Sequence, residues 1–157
     1  MKKGLMIGLM GAMTLVACNQ EKEKVEDQFN YTVEQFADLQ LLRFKVHGFE
    51  ELPLKQKELV YYLSEAALQG RDILFDQNGK YNLIIRKMLE VVYTDYQGDR
   101  SDANFKNFET YLKRVWFSNG IHHHYAADKF VPGFTPEFFK AALESVDASK
   151  LPLMEGE

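Results

Sequence analysis

Cysteine is almost absent from this chain of 157 residues, and basic residues are outnumbered by acidic ones. Cys18 is the only thiol, so the fold cannot depend on an internal disulfide, whatever the redox compartment. The 19 basic residues face 23 acidic ones and form no basic stripe. Because nucleic-acid binding relies on clustered Lys and Arg, this composition argues against a nucleic-acid partner.

Motifs that mark an active site are also missing. The chain has no GxSxG sequence, no glycine-rich phosphate loop, no HExxH pair and no paired-carboxylate motif. The neighbouring acids Glu50 and Glu51 are more typical of a solvated surface than of catalysis. We therefore expect no catalytic residue within this sequence.

Uninterrupted apolar sequence is limited to the amino terminus. Lys2 and Lys3 precede an apolar stretch, residues 4–16, that is too short to cross a bilayer of about 30 Å as an ordinary helix. The four residues that end at Cys18 (LVAC) resemble a bacterial lipobox. This resemblance implies that residues 1–17 are a signal peptide and that Cys18 is lipidated, as in an exported, membrane-anchored lipoprotein of a bacterial cell envelope. The alternative is an ordinary secretory signal that contains a cysteine.

The remainder has the size and composition of one globular domain. Apolar residues make up 46% of the chain and aromatic residues 13%. A chain of this length can bury roughly 70% of its unfolded surface, so a core is expected. Residues 18–35 are polar and charged, and we expect them to form a flexible tether between the lipid and a folded body over residues 36–157.

Hydrophobic spacing over residues 36–157 predicts a mainly α fold. Alternation in residues 39–46 predicts one strand, whose partner is expected outside this chain. Helices are predicted over residues 53–77 and 81–96, with Gly70 allowing another helix to approach closely. Asp102 can cap a third helix running through Ser118, and Thr135 a fourth. The side chains expected to face the core are Leu59, Val60, Leu63, Ala66, Ala67, Ile73, Leu74, Ile84, Ile85, Met88, Val92, Tyr96, Phe105, Phe108, Leu112, Val115, Trp116, Phe138, Phe139, Ala142, Leu143 and Val146.

Polar and aromatic side chains crowd into the segment that follows Ser118. Three interpretations remain open: a metal site, a loop that satisfies its own backbone, and a donor-rich surface for a peptide-like ligand. Consecutive histidines on a regular element point to different sides, which argues against a metal site. Loops between rigid helices often carry binding residues. The candidate substrate-binding residues are Asn119, Gly120, His122, His123, His124, Tyr125 and Lys129.

Several segments, taken in order, resemble the amino-terminal part of the dipeptidyl peptidase III family of zinc metallopeptidases. The resemblance is closest to lipoprotein members from Bacteroides-type bacteria. The segments are residues 54–68 (LKQKELVYYLSEAAL), 70–72 (GRD), 115–120 (VWFSNG) and 128–132 (DKFVP). The resemblance covers about residues 36–153 and depends on the order and combination of the segments rather than on any one of them.

Members of this family are longer and have two lobes around a cleft. The resemblance therefore implies that residues 36–157 are an incomplete, largely helical part of the upper lobe. In the intact family a zinc-bound water, activated by a glutamate, releases dipeptides from the amino terminus of peptides. The HExxGH zinc motif is absent here. We expect this chain to bind no zinc and to be inactive alone, with the rest of the peptidase chain, a peptide substrate and the membrane as its partners.

Two alternatives do not require a larger enzyme. One is a stand-alone small helical lipoprotein that binds a peptide or a protein partner through the loop after Ser118. The other is a structural lipoprotein without a ligand.

Overall fold

A computed structural model describes residues 29–152 and has a mainly helical fold with a small sheet at its start. The strands are β1 (Thr32–Phe36) and β2 (Leu39–Leu42). The helices are α1 (Leu54–Gln69), α2 (Arg71–Asn78), α3 (Asn82–Asp95), α4 (Ala103–Ser118) and α5 (Pro136–Glu144), with single 3-10 turns at Phe49–Glu51 and Ala148–Lys150. The predicted mainly α fold class is confirmed.

The amino-terminal features predicted from the sequence lie outside the described residues. These are the signal peptide, the lipidation site Cys18 and residues 18–28 of the tether. Between residues 29 and 152, no helix has the length and apolar character needed to span a bilayer.

The strand predicted over residues 39–46 has its partner inside this chain, so the expectation of an external partner is wrong. β2 pairs antiparallel with β1 across a turn at Ala37 and Asp38, and Ala37 adopts a left-handed φ of 50°. β2 also ends at Leu42, four residues earlier than predicted. Residues 32–35, which the sequence analysis placed in the tether, form most of β1.

Two ion pairs join the hairpin to α4. Lys113 Nζ lies 2.6 Å from Glu34 Oε1 of β1, and Arg114 pairs with Asp38 of the turn. The hydrogen bond with Glu34 raises the pKa of Lys113 above its ordinary value. Glu34, which was predicted to lie in the tether, and Asp38 of the turn therefore fasten the hairpin to the helical body.

Gly70 ends one helix and begins the next, which corrects the prediction of a single helix over residues 53–77. Its N–H donates to Ala67 O at 3.1 Å, a bond of three-residue span that closes α1. A Cβ placed on Gly70 would meet only Ala67 O, at 3.5 Å. Within residues 29–152 no other helix approaches at this point, so the expected role in close helix packing is wrong for this part of the chain.

Helix α1 contributes no buried side chain. Leu59 and Leu63, predicted to face a core, are 57% and 60% exposed, and Leu74 of α2 is 51% exposed. Ala66 is exposed as well. Within the described residues, nothing covers the apolar side chains of this helix.

The core lies where α3, α4 and α5 meet. Phe105, Phe108, Leu112 and Val115 of α4 and Ala142 of α5 are buried as predicted. The buried cluster consists of Phe75, Leu89, Val92, Phe105, Phe108, Tyr111, Leu112, Val115 and Ala142, with Ile85, Tyr96, Phe138, Phe139 and Leu143 packed partly buried against it.

Two core predictions for α3 and α4 are corrected. The buried residues of α3 are Asn82, Arg86, Leu89 and Val92, of which only Val92 was predicted to face the core. Ile84 and Met88 are only partly buried. Trp116 is 40% exposed, and its indole N–H donates to Glu90 Oε1 at 2.8 Å. An indole N–H needs a polar partner, which favours the edge of the core over its centre.

Helix starts follow the sequence closely. The Asp102 carboxylate accepts from Asn104 N at 2.7 Å at the start of α4, and the Thr135 hydroxyl accepts from Phe138 N at 3.2 Å at the start of α5. Pro136 occupies the first position of α5. Both predicted caps are confirmed.

A buried cation joins α2 to α3. The Arg86 residue is 7% exposed, its guanidinium stacks 4.8 Å from the Phe75 ring centre, and its Nη2 lies 2.7 Å from Asp72 Oδ1. Desolvation raises the pKa of Asp72, but Lys87 and Arg86 together outweigh it and hold that pKa below its ordinary value.

Replacing Asp72 with Asn should lower the free energy of unfolding at pH 7 by about 1 kcal/mol, because the Arg86 charge loses its closest partner. A lowered folded-state pKa means that the carboxylate stabilises the fold above its unfolded pKa and ceases to do so as pH falls through the folded pKa. In urea melts, the difference between wild type and D72N should therefore shrink below about pH 4. The exposed Asp76→Asn change in the same helix is the control, and a pH-independent difference for D72N would contradict the assignment.

Candidate functional site

The loop after α4 begins with a left-handed residue. Asn119 ends the helix at φ 52° and ψ 39°, and Gly120 follows at φ 155°. The Gly120 N–H returns to Val115 O at 3.1 Å, which satisfies a carbonyl at the end of the helix. The predicted stop at residues 118–120 is confirmed, and it turns the chain towards the junction between α2 and α3.

Asn82, the first residue of α3, forms a hydrogen bond with the residue after this turn. Its Oδ1 accepts from Ile121 N at 3.2 Å, and Asn78 Nδ2 donates to Asn119 O at 3.2 Å. A Cβ on Gly120 would lie only 2.3 Å from Asn82 Nδ2, so only glycine fits this position without movement. The loop is thus fixed to α2 and α3 by side-chain amides.

The loop closes on itself as a short antiparallel pair. His122 bridges Lys129, His123 N donates to Asp128 O at 2.8 Å, and Phe130 N donates to Ile121 O at 2.9 Å. The side chains at the far end, including those of Tyr125 and Lys129, are exposed. The backbone of this loop is therefore largely satisfied from within, as one of the interpretations of the sequence predicted.

Aromatic and imidazole rings pack in a row along the loop. The ring centres of His123 and His124 are 4.4 Å apart and nearly parallel, and Phe117 meets His124 edge-on at 5.0 Å. His124 also lies 4.2 Å from Tyr125, and His123 lies 6.1 Å from Phe130. This packing holds the imidazoles against the end of α4.

A cavity of about 340 Å³ lies between the loop and the start of α3. Five of the seven predicted site residues line it, whereas Tyr125 and Lys129 do not. Its lining is Asn78, Asn82, Ser118, Asn119, Gly120, His122, His123, His124, Ala126 and Ala127.

Asn78, Asn82 and Ser118 complete this cavity, and the sequence analysis did not identify them. Asn82 and Ser118 are only 3% and 8% exposed. Within residues 29–152, Asn82 Nδ2, Ser118 Oγ and His124 Nδ1 are buried and have no hydrogen-bond partner. A sequence signal was present for the two asparagines, because both flank the helix break at Gly79, but they resemble ordinary turn residues.

A second, more apolar groove of about 490 Å³ lies on the other side of Asn119. It runs between the hairpin and α2, α3 and α4. Its lining is Glu34, Phe36, Leu41, Arg71, Phe75, Glu90, Lys113, Trp116, Phe117 and Asn119. Asn119 is therefore shared by a polar cavity and an apolar groove.

The described residues do not form a zinc site. In the described part of the chain, no three His, Cys, Asp or Glu side chains are grouped so that they could hold a metal ion. The stacked rings of His123 and His124 make contact with each other and with Phe117 instead.

Comparison with known proteins adds no family assignment. A scan of protein-family models finds no match to this chain, and a search of curated proteins finds no significant match. The resemblance to dipeptidyl peptidase III stays a prediction from the quoted sequence segments.

Proposed function

We propose that this chain is a scaffold region of a zinc-dependent dipeptidyl peptidase, which releases dipeptides from the amino terminus of peptides. In this proposal the zinc and the catalytic residues belong to other polypeptide, and the loop after α4 forms part of the substrate cleft. The lipid on Cys18 anchors the enzyme to the cell envelope, and the tether holds it off the membrane. The exposure of α1 is the observation that carries the proposal.

The apolar side chains of α1 point in nearly all directions around the helix. Leu59, Tyr61, Tyr62 and Leu63 are 57%, 60%, 68% and 60% exposed. Consecutive residues are about 100° apart, so these side chains cannot all face one neighbour. A helix that is apolar on several sides is typical of the interior of a larger protein.

The amount of exposed apolar surface supports the same conclusion. Large apolar patches on a soluble protein usually mark an interaction surface. Burying one leucine side chain is worth roughly 1.5–3 kcal/mol. The large apolar residues of α1 and α2 that are at least 43% exposed are Leu54, Leu59, Val60, Tyr61, Tyr62, Leu63, Leu68, Ile73 and Leu74. Further polypeptide that packs on these two helices is the partner that the proposal requires.

The first test uses the native gene product, isolated from the membrane fraction. Its intact mass should exceed the 18.2 kDa of this chain. It should release dipeptides from a short peptide, and chelation of zinc should abolish that release. The 157-residue chain alone should release none, and dipeptide release by this chain would refute the proposal.

A substitution in α1 tests the buried interface directly. Because Leu63 is 60% exposed in this chain, Leu63→Lys should change the stability of the chain alone by no more than about 0.5 kcal/mol. In the native product the same change should cost at least about 2 kcal/mol, because it buries an unpaired charge. Glu58→Lys, at a polar position of the same helix, is the control. Equal effects of L63K in the two proteins would contradict a covered α1.

The stand-alone peptide-binding lipoprotein remains the second candidate. The polar cavity favours it, because Asn82 and Ser118 line that cavity and each has a buried polar atom without a hydrogen-bond partner within residues 29–152. A native product with the mass of this chain that binds peptides without cleaving them would establish this alternative.

A further inference from the structure

The polar cavity beside the loop after α4 contains hydrogen-bonding groups that the fold leaves unused. Asn82 and Ser118 are more than nine-tenths buried, yet within residues 29–152 Asn82 Nδ2 and Ser118 Oγ have no partner. Leaving a buried polar group unpaired costs about 1–3 kcal/mol, so such groups call for an explanation. Both groups line the same cavity.

The orientation of the Asn82 amide is fixed by its other end. Ile121 N donates to Oδ1, so Nδ2 takes the other position of the amide, which faces Gly120 and Gly79. Nδ2 lies between two glycines: a Cβ at Gly120 would be 2.3 Å from it, and one at Gly79 would be 3.0 Å from it. The absence of both side chains leaves room for this donor, which is buried and has no partner within residues 29–152.

The chemistry of the lining selects a neutral ligand. The described residues that line the cavity include no Lys, Arg, Asp or Glu. A carboxylate or an ammonium group would lose its hydration there without gaining a counter-charge, whereas an amide needs only hydrogen bonds. Asn82 Nδ2 and Ser118 Oγ can donate to a carbonyl oxygen, and His124 Nδ1 can accept from an N–H.

We infer that this cavity binds a main-chain amide of an extended peptide, with Asn82 Nδ2 and Ser118 Oγ as donors to its carbonyl oxygen. The volume of about 340 Å³ is at the small end of ligand sites and suits about two residues of a peptide. The inference rests on the proposed function for the class of ligand, a peptide. It adds two residues that the sequence analysis did not include among the candidates.

The probe is the neutral blocked dipeptide N-acetyl-alanyl-alanine N′-methylamide, titrated into the isotopically labelled full chain. The side-chain NH₂ signals of Asn82 should shift in a saturable manner in NMR spectra, and sodium acetate should not shift them. Asn82→Asp keeps the acceptor for Ile121 N but replaces the donor with an oxygen, so it should weaken binding at least tenfold. Ser118→Ala should weaken binding roughly three- to tenfold.

The control is Asn107→Asp, which makes the same charge change about 16 Å away along α4, eleven residues before Ser118. It should leave binding unchanged. Thermal melts of each variant check that it is folded, and the wild-type NMR shifts test the inference even if one variant is not. No saturable shift with the blocked dipeptide, as when ordered water alone satisfies these atoms, overturns the inference. Unchanged binding by folded N82D and S118A overturns it as well.

Failure of the inference and failure of the proposed function give different results. If the native product releases dipeptides but N82D leaves its KM unchanged, the inference is wrong and the peptidase proposal stands. If the probe binds in an Asn82-dependent manner and the native product cleaves nothing, the inference stands for a peptide-binding protein and the peptidase proposal is wrong.

Discussion

Phe108→Ala should lower the free energy of unfolding by about 3–5 kcal/mol, because it removes a fully buried ring from the centre of the core. Phe108 is 0% exposed. Its ring centre lies 5.9 Å from Phe105 of the same helix, 5.6 Å from Phe134, and 6.1 Å from Phe139 of α5. The ring therefore joins α4 to α5, and the cavity left by its loss has rigid walls on both sides.

Chemical denaturation measures this effect, and a thermal scan should show a fall in Tm of roughly 10–20 °C. Phe44→Ala is the matched control, because it removes the same side chain from a position that is 74% exposed. That change should alter stability by no more than about 0.5 kcal/mol. A loss below about 1 kcal/mol for F108A would show that α5 does not pack on α4 as described.

The importance of Phe108 could be predicted from the sequence because the signals for α4 are local. Asp102 provides a cap, Phe105, Phe108, Leu112 and Val115 repeat at helical spacing, and Asn119 stops the helix. Each of these features determines the backbone conformation of only the few residues next to it in the sequence. Predictions of this kind succeeded for α4 and for the start of α5.

The hairpin could not be predicted in the same way because its side chains pair with residues far away in the sequence. Glu34 pairs with Lys113, which is 79 positions further along the chain. In the sequence alone, nothing local distinguishes an ion-paired acid such as Glu34 from a solvated one. The spacing of apolar residues in the sequence therefore gives no sign of a strand whose charged side chains pair with distant residues.

The face of α1 was predicted as apolar, but periodicity cannot indicate what covers a face. The same spacing of Leu59 and Leu63 is produced by packing within a chain and by packing against another polypeptide. Likewise, the loop at Asn119 was recognised by its unusual composition, whereas Asn82 and Ser118 are common residues in ordinary helices. Their significance depends on burial and on unmade hydrogen bonds, which only the folded arrangement reveals.

Gly120 was predicted from the sequence as a site residue, and it lies against Asn82, which was not predicted. Gly120→Ala should lower the free energy of unfolding by about 2–4 kcal/mol, since it combines a clash with backbone strain. The new Cβ would lie 2.3 Å from Asn82 Nδ2 and 2.8 Å from Asn82 Cγ. Asn82 cannot move away freely, because its Oδ1 accepts from Ile121 N.

A double-mutant cycle with Asn82→Ala separates the two contributions. Removing the Asn82 amide should cost less in the G120A background than in the wild type, with a coupling energy of at least about 1 kcal/mol. Gly48→Ala is the control for strain alone, because Gly48 has a φ of 84° and nothing within 4 Å of an added Cβ. If G120A costs no more than G48A, or if the two substitutions are additive, the contact between Asn82 and Gly120 does not shape the loop. A measured coupling would instead show that Asn82, which lines the polar cavity, also holds the loop in its conformation.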